Sequence, residues 1–263
     1  MKRITQHPAA ALCLLLTACS LTDPPDTDEW QSISTAKVQL EYKTPDAELA
    51  PSLLRWVTTG TTTVENVLGL IIAQPFSVRI HVDRASLQTD WAARFGTPQQ
   101  GFQCWIIAIA DGNGVVMLSP RAFATDSCGH NAQDTVETRA ILGHEVTHLI
   151  HRRINPSNQL GGGGTGWFYE GAAVFSSGQL NANRRNQSRT ALQTAPPTQL
   201  ARIMDTDAGY SLAGSFVEYI AQRYGVAKVR DLMYLVTQAE ILGALGLSEA
   251  SLITEWRAYV LSR

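Results

Sequence analysis

Apolar and polar residues alternate over 37–42 (KVQLEY) and again over 76–82 (FSVRIHV), the period of two expected of strands with one face on a core. Between them, 46–70 (DAELAPSLLRWVTTGTTTVENVLGL) spaces its apolar positions three and four apart, which predicts a helix with Asp46 as its cap. The stretch 104–120 (CWIIAIADGNGVVMLSP) predicts two strands joined by a glycine-bearing turn. From Asp134 onward the spacing becomes helical, with helices predicted near 134–153, 167–179, 210–224, 226–238 and 248–261. A sheet-bearing first part followed by a helical second part is the order of an α+β fold. The expectation is a single domain over 36–263, with a sheet lobe at 36–153, a helical lobe at 154–263 and a cleft between them.

The N-terminus changes the picture. Lys2 and Arg3 precede the apolar run AAALCLLLTA, too short to span a bilayer and shaped like a secretory signal. That run leads into LTAC, Leu16 to Cys19, which resembles a bacterial lipobox. The resemblance implies a signal peptide at 1–18, lipid on Cys19 as membrane anchor, and a cell-envelope location. Ser20, in place of an aspartate after the cysteine, favours the outer membrane, facing the periplasm or the cell surface. Residues 19–35, which include SLTDPPDTDEW, are polar, acidic and proline-bearing, as a flexible tether would be.

Composition adds limits. A chain of 263 residues, 44% hydrophobic, can bury a sizeable core, and a formal net charge of -2 gives no sign of a nucleic-acid partner. Beyond the signal, Cys104 and Cys128 remain as a pair. An oxidising envelope favours one disulfide between them, and the alternative is two buried thiols.

The chemistry concentrates in ILGHEVTHLIHRR, residues 141–153. His144 and His148 stand four apart, so on a helix they share a face and can share one metal ion. Glu145 then lies beside that ion as a candidate base. A hydrolytic zinc takes three protein ligands and leaves a position for water. Glu170, in GWFYEGAAVFSSG (166–178), begins the next predicted helix.

At this point the sequence resembles the gluzincin metallopeptidases of the aminopeptidase-like clan, in which HExxH on one helix is completed by a glutamate on a following one. Trp167, Glu170, Gly171 and Ala173 match the context of that glutamate. The resemblance implies a zincin-like fold and one zinc per chain on His144, His148 and Glu170. It further implies Glu145 as catalytic base and hydrolysis of a peptide or protein substrate, with an edge strand of the 104–118 hairpin aligning it. The segment DAGYSLAGSFVEYIAQRYG (207–225) is similar to the part of these enzymes that brings a tyrosine toward the metal, so Tyr210 is the candidate to hydrogen-bond the oxyanion.

Departures from the family set limits. No GxMEN-like stretch is present, so an endopeptidase is favoured over an N-terminal exopeptidase. Val174 stands where thermolysin-type enzymes carry an aspartate, which leaves the partner of the zinc-binding histidines unidentified. His151, which could face the cleft or solvent, is assigned to solvent, GGGGTG (161–166) to a flexible link, DGNG (111–114) to a turn, and NANRRNQSR (181–189) to a solvated connector, with a contact surface for acidic substrate as the alternative. Two other classes stay open: an envelope lipoprotein that binds zinc without catalysis, and an anchored interaction module in which the motif is accidental.

Overall fold

The computed structural model describes residues 29–96, 101–157 and 161–263. The expected signal 1–18, Cys19 and residues 20–28 of the expected tether lie outside them.

Five strands form a mixed sheet in the order β1-β2-β3-β5-β4. They are β1 (Gln31–Ser34), β2 (Val38–Tyr42), β3 (Phe76–His81), β4 (Ala108–Ala110) and β5 (Gly114–Leu118). β2, β3 and β5 run parallel, while β1 and β4 pair antiparallel at the two edges. β1 corrects the assignment of 19–35 to tether, because 31–34 are hydrogen-bonded into the sheet. The alternation of β2 gives one buried face, whereas every residue of β5 is buried because helices and neighbours cover both sides. Gly114 is required where β5 meets β3: a Cβ there would lie 2.3 Å from the Ser77 carbonyl oxygen.

Among the described residues there are ten α-helices: α1 (Ala50–Leu68), α2 (Arg84–Phe95), α3 (Phe123–Asp126), α4 (Thr135–Ile154), α5 (Gly166–Ser176), α6 (Ala182–Thr194), α7 (Gly209–Tyr224), α8 (Val226–Leu232), α9 (Gln238–Leu245) and α10 (Glu249–Leu261), of which α1, α2 and α4 pack on the sheet. The α+β class expected from the pattern is the class observed. Asp46 is not the cap of α1. It closes a short turn before the helix, and its buried carboxylate accepts from the Ser119 hydroxyl at 2.6 Å. The hairpin is shorter than expected, since strand pairing begins at Ala108 and only the Ile107 carbonyl, accepting from Leu118 N at 2.8 Å, extends it toward Cys104. The helix expected over 226–238 breaks after Leu232. Asn155 Nδ2 donates to the carbonyls of Met233 and Leu235, and a capping box of Thr237 and Glu240 starts α9.

α4 is the central element, packed on α1, β4, β5 and α5. It crosses α1 at Gly60 and Gly143, where a Cβ on Gly60 would lie 3.1 Å from the Gly143 nitrogen. α5 crosses α7 at Gly171, where a Cβ would lie 2.5 Å from the Ala213 carbonyl oxygen. Trp167 of α5, Phe216 of α7 and Trp256 of α10 pack edge to face at 5.0 Å centroid spacings, fixing α5 one turn from Glu170.

Candidate metal centre

Asp134 caps α4 by accepting from the Glu137 nitrogen, and the helix then runs unbroken through its polar face. His144, Glu145 and His148 are all buried. Helical geometry places His148 Nε2 2.9 Å from His144 Nε2, and α5 brings Glu170 Oε2 within 3.1 Å of His144 Nε2 and 3.4 Å of His148 Nε2. Ligand atoms about 2.0 Å from a tetrahedral zinc are separated by about 3.3 Å. The observed triangle has that size, so these three side chains can hold a metal ion.

Each histidine is oriented differently. His144 Nδ1 donates to Gln179 Oε1 at 2.8 Å, which leaves Nε2 to face the cluster. His148 instead lies flat against Tyr169, with ring centroids 4.1 Å apart and planes 9° apart, and its Nδ1 has no hydrogen bond among the described residues. Gln179 is the partner that the sequence left unidentified. It follows Gly178, whose φ of 83° turns the chain back over α4.

The electrostatics follow from burial and opposite charge. Burial lowers the tendency of His144 to hold a proton, but the Glu170 carboxylate more than offsets this and raises its pKa. Burial would raise the Glu170 carboxyl, yet the two histidines hold it below the usual carboxylate range. Glu145 is raised, chiefly by burial, against the pull of His148, His144 and the Ala110 N–H. Burial and the Glu170 and Glu145 carboxylates keep the Tyr210 phenol protonated.

A cleft of about 310 Å³ opens beside Glu145 and His144, walled by Trp105, Ala108, Gln179 and Tyr210. A smaller adjoining hollow reaches His148 and Glu170. Tyr210 opens α7 with its ring centroid 6.1 Å from that of His144, so the structure gathers all five sequence-nominated residues, His144, Glu145, His148, Glu170 and Tyr210, around one cleft. The Cys104–Cys128 disulfide is formed, with a Cα–Cα distance of 5.3 Å, and braces the wall carrying Trp105 and His130.

Two assignments are corrected. His151 does not face solvent. It is fully buried against Tyr169 and Phe168, on the α4 face that carries His148. Residues 181–189 are not a connector: Asn181 caps α6, and Arg184 on that helix reaches the cleft. Both Arg184 and Gln179 arrive through the chain reversal after α5, for which no local spacing rule exists.

Among known proteins, no family model and no curated protein matches this chain. Of the solved structures, an aminopeptidase N family protein from Idiomarina loihiensis is similar over 87% of this chain and 43% of its own length, at 10% identity and a TM-score of 0.40. The chain thus spans less than half of that protein, and a likeness of this size fixes no activity.

Proposed function

We propose that the chain is a zincin-like zinc peptidase, hydrolysing bonds within peptides or proteins. The observation that carries the reading is the triangle of His144, His148 and Glu170 ligand atoms, with buried Glu145 beside it at the floor of a cleft. Zinc held there would acidify a water molecule and polarise a carbonyl.

The chain's own groups would do the rest. Glu145, raised in pKa by burial, takes the proton of the attacking water and returns it to the leaving amine. Tyr210, held protonated, donates a hydrogen bond to the oxyanion that develops on the carbonyl. β4 is the sheet edge at the cleft, and an extended substrate added along it would be fixed by backbone hydrogen bonds. The LTAC sequence and the disulfide support a further proposal, that the domain is tethered to the envelope through lipid on Cys19.

The test is zinc content and peptide hydrolysis of the wild type beside Glu145→Gln and His148→Ala. Expected are about one zinc in the wild type and in Glu145→Gln, none in His148→Ala, and hydrolysis in the wild type alone. Zinc without hydrolysis would leave a binding protein, and no zinc with an intact fold would end the proposal.

A further inference from the structure

Arg184 is the one arginine or lysine among the described residues lining the cleft. Two other arginines show the contrast. Arg185 pairs with Glu218 at 2.8 Å, and Arg153 donates to the carbonyls of Gly112, Gln74 and Pro75. The Arg184 guanidinium, by contrast, has no hydrogen bond or ion pair among the described residues and rests 5.9 Å from the Tyr210 ring centroid. Glu137 in the cleft wall favours the charged guanidinium but makes no ion pair with it among the described residues, its Oε1 lying 3.2 Å from His130 Nδ1. A partly buried guanidinium with five donors and no acceptor is a poorly satisfied group, and a carboxylate is the partner that its fork fits.

We propose that Arg184 is a specificity residue that selects peptides presenting a carboxylate close to the bond that is cut. The inference rests on the peptidase reading for its reaction and on Arg184 alone for its selectivity. The guanidinium lies 5.9 Å from the Tyr210 centroid, which lies 6.1 Å from that of His144. Arg184 and His144 are therefore at most about 12 Å apart, and extended chain advances about 3.3–3.6 Å per residue. The carboxylate sits within about three residues of the scissile bond. It can be the α-carboxylate of the peptide or the side chain of an Asp or Glu, two sources of the same chemistry.

The experiment uses the full chain loaded with zinc and carrying Glu145→Gln, so that peptides bind without turnover. Calorimetry compares matched hexapeptides with a free or amidated C-terminus, and with Glu or Gln at internal positions. The carboxylate-bearing peptide is expected to bind about ten to a hundred times more tightly. Adding Arg184→Gln brings that ratio close to one, and Arg184→Lys leaves an intermediate ratio because charge survives while the fork is lost. Whichever substitution of the peptide, amidation or Glu to Gln, abolishes the preference identifies the source of the carboxylate.

Because each ratio is taken within one protein, a general loss of binding does not mimic the effect, and thermal unfolding reports whether Arg184→Gln still folds. If it does not, Arg184→Lys carries the test. A ratio near one in the parent, or a ratio that survives Arg184→Gln, overturns the proposal. Absent hydrolysis in the wild type with the binding ratio intact would remove only the peptidase reading.

Discussion

Nδ1 of His144 donates to Oε1 of Gln179 at 2.8 Å, across 35 residues of sequence. The bond fixes both the tautomer and the plane of an imidazole whose other nitrogen faces His148 and Glu170. Outer partners of this kind typically contribute a factor of about 10–100 in metal affinity. Gln179→Ala should weaken zinc binding by that factor with little change in unfolding temperature, as measured by competition with a chromophoric chelator. Unchanged affinity would show that α4 alone orients the ring.

Tyr210→Phe removes one hydroxyl and leaves the ring that packs near His144 and Trp105. If the phenol stabilises the oxyanion, kcat falls by about 10²–10³ while KM and zinc content hold. A rise in KM alone would place Tyr210 in substrate packing.

Gly171 sits next to Glu170 where the backbones of α5 and α7 come close. Gly171→Ala must push the helices apart, because the obstacle is the Ala213 carbonyl rather than a movable side-chain tip. Overpacking of this kind typically costs about 1–3 kcal/mol. Urea unfolding should register that loss, and zinc affinity should drop with it as Glu170 moves. Wild-type stability in the variant would mean that the crossing relaxes freely.

His151 gives the fold an acid limit. Burial, with the charges of His148 and Arg152, pushes its pKa down from 6.5 to about 3, although the Met233 carbonyl favours the proton. The unfolded chain takes up that proton near pH 6.5, while the folded chain resists it to about pH 3. Stability is therefore fully present above pH 6.5 and is lost as pH falls through the window between them, by at most about 1.4 kcal/mol per unit. In metal-free protein, His151→Phe should flatten this part of the pH profile, as read by chemical denaturation at pH 7 and pH 5. Parallel profiles for the two proteins would assign the acid sensitivity to other groups.

The parts of this arrangement legible in sequence are those that obey a period. His144, Glu145 and His148 occupy one helical repeat, and β2 and β3 alternate cleanly. Glu170 was reachable through its resemblance context. His151 carried a signal that was misassigned, since it lies three residues past His148 and so shares the ligand face of α4. Gln179 was not legible, and Arg184 only as one of an Arg-rich stretch, because tertiary folding after α5 brings both to the cleft. The end of α8 was hidden for the same reason: Asn155, 78 residues earlier, takes the Met233 carbonyl.

The disulfide makes the surrounding redox poise an input to the cleft. Cys104 and Cys128, 24 positions apart in sequence, close a loop that spans β4 and β5, and Trp105 and His130 lie beside its two ends. His130 Nε2 donates to the Trp105 carbonyl at 2.9 Å, so the cross-link and this hydrogen bond together hold one wall in register. Without the cross-link, that wall would be held by the hydrogen bond and its packing alone, so an oxidant sets how firmly one side of the cleft is tied.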